Sequence, residues 1–84
     1  MEFDRTKRSS RLRLHGLPIR GLHAFEIGPG EWIGRIEGTH GPEEAVRAES
    51  RADCEHKLTE RASELLLEHM AWMAEIAEEL RALC

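Results

Sequence analysis

The sequence predicts an α+β fold: a small antiparallel β-sheet of two or three strands followed by a long C-terminal amphipathic α-helix. Three observations lead there. Residues 58–84, LTERASELLLEHMAWMAEIAEELRALC, contain no Gly or Pro and are rich in the residue types that enter a helix at least cost. Upstream, short stretches at 11–14, 22–27 and 32–37 alternate or carry β-favouring residues with the period of two expected of strands. Between the last two stands Gly28-Pro29-Gly30-Glu31, the clearest turn in the chain.

Bulk properties narrow the class. With 84 residues the chain is expected to form a single domain, 1–84, near the small end of what folds without a staple. At 33% charged and 40% hydrophobic residues it reads as globular rather than disordered. No apolar run approaches the ~18 residues of a membrane span, and no hydrophobic segment follows the basic N-terminus as in a secretory signal. Cys54 and Cys84 are too few for a disulfide scaffold, so reduced thiols and a cytoplasmic location are expected. The net charge of −4 hides an asymmetry. Residues 1–23 hold six Arg or Lys against Glu2 and Asp4, while residues 24–84 hold six against fourteen acidic residues.

Taken in order, residues 1–10 lack periodicity and read as a mobile basic arm, with the sheet spanning 11–40. Arg11-Leu12-Arg13-Leu14 places both arginines on one strand face, and Pro18 ends that strand or puts it at an edge. Residues 22–27 and 32–37 form a hairpin. In the return strand Trp32, Gly34 and Ile36 share one face, and Ile33, Arg35 and Glu37 the other. Gly34 marks a bulge or a close approach of another backbone. A helix start is expected at 41–44, with Gly41 as N-cap, Pro42 at the first position and two Glu at the positive dipole end. Residues 41–84 then form one long helix or two with a bend near 53–57. Continuity is favoured because no Gly or Pro forces a break.

The length of that helix predicts an interface. Residues 42–83 would run about 60 Å at 1.5 Å per residue, whereas a compact chain of this size is roughly 30 Å across. From Leu58 onward the apolar residues fall within about 160° of one another around the helix. The short sheet cannot cover them all, so Leu58, Leu65, Leu66, His69, Met70, Trp72, Met73, Ile76 and Leu80 are expected at a homodimer or partner interface. His69, central in that stripe, is either a pH-sensitive contact across the seam or a packed residue with one hydrogen bond.

Two charged surfaces are candidates for recognition. Glu60, Glu64 and Glu68, extended by Glu75, Glu78 and Glu79, form an acidic row that either docks into a basic protein surface or is simply solvated. Arg5, Lys7, Arg8, Arg11, Arg13 and Arg20, with His15 and His23 nearby, are candidate phosphate contacts. No catalytic motif is present: there is no phosphate loop, nucleophile elbow or His-Glu-x-x-His pattern. Cys54, His56, His69 and Cys84 lack zinc-ligand spacing, and no metal or cofactor is expected.

Gly30-Glu31-Trp32-Ile33, Gly38-Thr39 and Pro42-Glu43-Glu44-Ala45 with Ala48 resemble the hairpin and helix start of three-stranded DNA-binding domains of the AP2 or integrase-arm kind. The resemblance covers a minority of the chain and lacks the dense arginines and aromatics with which such sheets read bases. It implies DNA contact through the sheet. The leading expectation is a non-enzymatic regulatory or inhibitory protein that occupies a basic, nucleic-acid-binding surface of its partner, by analogy with phage-encoded inhibitors. The alternative is a DNA-binding regulator using the basic N-terminal third, with the helix as dimeriser.

Overall fold

Period-two patterning in the N-terminal half builds more sheet than three short stretches. The computed structural model describes residues 2–15, 18–38, 44–69 and 74–83. Five strands, β1 (Asp4–Arg5), β2 (Ser9–Arg13), β3 (Ile19–Gly28), β4 (Glu31–Gly38) and β5 (Glu44–Ala48), form one antiparallel sheet in chain order. Two helices follow, α1 (Arg51–His69) and α2 (Ala74–Ala82). The class is α+β, with five strands in place of two or three and a helix pair in place of one long helix.

Partners on adjacent strands point to the same side, so the register sorts the sheet into two faces. Leu12, Leu22 and Ile36 form one inward row, and Ser10, Ala24, Gly34 and Val46 the next. Trp32 and Ala48 continue it. The chain reverses between β3 and β4 at Pro29-Gly30, where Gly30 has φ +68°, the left-handed position that a type II turn asks of the residue after its proline. A register shift between Glu26 and Gly28 leaves Ile27 as a bulge residue, half out in solvent.

Residues 44–48 correct the expected helix start. Ala45, Ala48 and Ala52 have helical spacing, but Val46 and Ala48 also alternate with Ala45 and Arg47, and pairing with β4 satisfies their backbone groups. The helix begins at Ser50 instead. Its hydroxyl accepts from the Asp53 amide at 3.1 Å and its carbonyl from the Cys54 amide at 3.0 Å, an N-cap with Asp53 in the first turn. The 53–57 stretch, a candidate for a bend, lies inside α1, and the described helices are α1, to His69, and α2, from Ala74.

Helix α1 lies across β3, β4 and β5 and buries Cys54, Leu58, Ala62 and Leu66. Gly34 is the notch that receives it. A Cβ there would meet the Leu58 side-chain carbons at 2.7–2.8 Å, so the close approach is by a helix side chain and needs no bulge at this position. Helix α2 returns along α1 and buries Ala77 and Leu80, and the Ser63 hydroxyl donates to the Ala77 carbonyl at 3.0 Å. The longest dimension is therefore 39 Å, far short of an unbroken rod.

The expected mobile arm is also corrected. Arg5 in β1 points inward and makes a bidentate pair with Glu55 of α1, at 2.9 Å from Nε and 2.8 Å from Nη2, while Phe3 is buried. Arg51 donates to the carbonyls of Thr6 and Lys7 and stacks over Trp32 at 5.1 Å. No periodic signal marks the hydrogen bonds of Arg5 and Arg51 because each joins residues more than forty positions apart.

Two stability predictions follow from this packing. Gly34→Ala should cost about 1–3 kcal/mol by forcing Leu58 out of its seat, read as a lower denaturation midpoint. In a double-mutant cycle with Leu58→Ala the two losses should be less than additive. Glu55 gives the pH prediction. Burial pushes its carboxyl up, but the hydrogen bonds from Arg5 and the charges of Arg5 and Arg51 outweigh this and hold it below the usual carboxylate range. The unfolded chain then binds more protons in the acidic window, so this stabilisation is present above that range and lost as pH falls through the lowered folded value. Glu55→Gln should lower stability at pH 7 by about 1–2 kcal/mol and flatten the acid limb of a melting-temperature profile.

Candidate functional site

With α1 and α2 on one side, the other side of the sheet is left uncovered by any described element. Its register brings together residues scattered across the sequence. Asp4, Arg11, His23, Arg35 and Ala45 form one outward row across all five strands. Ser9, Phe25, Ile33 and Arg47 form the next, and Arg13, Gly21 and Glu37 a third. Arg11, Arg13, Arg35 and Arg47 are exposed, whereas His23, Phe25, Ile33 and Glu37 are half-buried. Among the described residues none of these four arginines has a carboxylate within ion-pair distance. The face is thus a set of unneutralised cations around a small apolar centre, with Asp4 and Glu37 at its margins.

His23 links the two parts. Its ring lies 5.2 Å from that of Phe25 at 45°, and Arg11 Nη2 donates to its Nδ1 at 3.4 Å. A guanidinium can only donate, so the neutral ring carries its proton on Nε2. Burial and the flanking charges of Arg11 and Arg35 lower its pKa, with Glu37 opposing, which keeps the ring neutral at pH 7. Beside this row a cleft of about 340 Å³ runs between Arg11, Arg13, His15, Arg20 and Glu37. Gly21 lines it, and a Cβ at that position would sit 2.9 Å from the Leu12 carbonyl oxygen.

The basic residues expected to act together are divided by the fold. Arg11, Arg13 and Arg20 converge on the cleft. Arg5 is directed to Glu55 on the helical side, and Arg8 lies 3.9 Å from Glu26, both away from the open face. Lys7 is exposed where the chain passes from β1 to β2. Arg35 and Arg47 join the face without having been singled out. For Arg35 the period-two reading of 32–37 held the signal, since Trp32, Gly34 and Ile36 had to point inward. Arg47 was hidden by reading its segment as helix.

On the helical side much of the expected interface lies within the protomer. Leu58, Leu66 and Leu80 are fully buried, and Leu65 and Ile76 pack half-buried against the same core. A straight helix would leave these residues bare, whereas the returning α2 covers them. Met70, Trp72 and Met73, and the side chain of His69, lie outside the described residues. The acidic row is exposed: Glu60, Glu64 and Glu68 on α1, and Glu75, Glu78 and Glu79 on α2. Arg61 offsets part of it, reaching Glu44 at 3.0 Å, Glu64 at 3.1 Å and Glu68 at 3.8 Å.

Cys54 is fully buried under the sheet. Burial, with Asp53 and Glu55 adding and Lys57 opposing, pushes its thiol up to about 11, so it is protonated at neutral pH and a poor nucleophile. Among the described residues no three His, Cys, Asp or Glu side chains are grouped to hold a metal ion. No described helix is long and apolar enough to cross a membrane. No family model, curated protein or solved structure matches the chain.

In a Cys84→Ser background, the remaining thiol should resist a disulfide reagent at pH 7 in the native protein and react at once in denaturant. Rapid native reaction would show that α1 opens from the sheet.

Proposed function

We propose that the protein is a non-enzymatic nucleic-acid-binding regulator whose open sheet face contacts phosphates. One observation carries the reading: Arg11, Arg13, Arg35 and Arg47 share one face, exposed and without carboxylate partners among the described residues. Phosphates supply counter-charge to these four arginines, which Asp4 and Glu37 at the margins leave without an ion pair, and release of condensed counterions drives binding. The charge distribution supports the same orientation. The carboxylates of α1 and α2 lie on the helical side, so a polyanion is repelled there and attracted to the sheet.

A second reading keeps the acidic helical layer as the working surface. Six exposed carboxylates on α1 and α2 favour it, and its occupant is the basic groove of a nucleic-acid-binding protein. Under it Glu60, Glu64 and Glu68 changed together to Lys should abolish capture of that partner with helix content unchanged. A homodimer through the helical layer is compatible with either reading, and light scattering on the purified chain tests it.

The two readings separate in one titration. Under the first, nucleic acid shifts the protein at low salt, with log K falling linearly as log salt rises. Arg11→Ala and Arg35→Ala should each weaken binding across sequences and reduce the salt slope by about 1. No shift at low salt with either single or double strands removes the first reading.

A further inference from the structure

We infer that the open sheet face takes single-stranded nucleic acid, with bases laid on the His23–Phe25 pair and phosphates on the surrounding arginines. This rests on the nucleic-acid reading above and narrows its ligand.

Width argues first. Arg11 stands on β2 and Arg47 on β5, three strand spacings apart, or about 14 Å. The major groove of a duplex is about 12 Å wide and admits a helix or a two-stranded ribbon. A five-strand face carrying arginines on β2 and β5 is too broad to enter it. A single strand has no groove to fit and follows the face across the strands.

The apolar centre argues second. His23 and Phe25 follow each other on one side of β3, with ring centroids 5.2 Å apart, and Ile33 sits directly opposite Phe25 on β4. All three are half-buried with cations on either side, and the lowered pKa of His23 leaves its ring uncharged. The outside of a duplex presents sugar and phosphate, which have no use for such a centre. Unpaired bases present π-faces, which stack on aromatic rings whatever their identity.

The test is fluorescence anisotropy with the full chain and labelled oligo(dT), oligo(U) and a mixed-sequence duplex of about 12 units each, at one salt concentration. The expected result is that a single strand binds at least about tenfold tighter than the duplex. Oligo(dT) against oligo(U) then identifies DNA or RNA as the source. Phe25→Leu, which keeps apolar bulk, and His23→Gln, which keeps a polar group beside Arg11, should each weaken single-strand binding about tenfold with the circular dichroism spectrum unchanged. Duplex binding as tight as single-strand binding overturns this inference and leaves the phosphate-contact reading standing. Single-strand preference indifferent to both ring variants overturns the stacking. Binding to none of the three overturns the broader reading as well.

Discussion

Leu58 seated against Gly34 is the contact on which the rest of the architecture depends. A glycine in the middle of a central strand weakens the sheet locally, and here the absent side chain is what lets α1 approach. With Leu58 in that notch, Cys54 and Ala62, one turn to either side, meet the sheet together, and the inner rows of β2 to β5 become dry. The choice of inner face settles the outer one. Since side chains alternate, burying Leu12, Leu22 and Ile36 obliges Arg11, His23 and Arg35 to point into solvent.

The second helix answers a problem of coverage. One helix on a small sheet leaves its far side wet, and α1 carries Ser63 and Leu66 around to that side. By folding back, α2 covers them with Ala77 and Leu80, and the buried Ser63 hydroxyl is satisfied by a carbonyl of the opposite helix. The protomer thus shields most of the apolar stripe that a straight helix would have offered to a partner. Ile27 at the bulge and Leu67 on α1 are the large apolar side chains left exposed among the described residues.

Electrostatics divides along the same plane. The helical side keeps its carboxylates, partly offset by Arg61 and Lys57, and the open sheet side keeps arginines without such partners among the described residues. Arg5 crosses between them. Its pairing with the buried Glu55 removes one cation from the N-terminal basic cluster and uses it to hold the edge strand β1 on the body of the protein. A two-residue edge strand has little ladder of its own, so this one bidentate contact and Phe3 are what order it.

By itself the sequence determined the things that depend on local periodicity and on turn chemistry. The α+β class, the hairpin at Pro29-Gly30, the shared faces of residues 32–37 and of Arg11 with Arg13, and the helical character of most of the C-terminal half were all legible in it. So was the opposition of a basic front to an acidic back. Tertiary structure alone decided where α1 begins, because Ala45 to Ala48 satisfy either period and only the free edge of β4 selects the strand. It decided that Arg5 leaves the basic cluster, since its partner lies fifty residues away. It decided also that Arg47 joins Arg11 and Arg35, a grouping that exists only after four strands have paired. The physical reason is common to these cases: local patterning reports which side of an element is apolar, and only packing reports what that side meets.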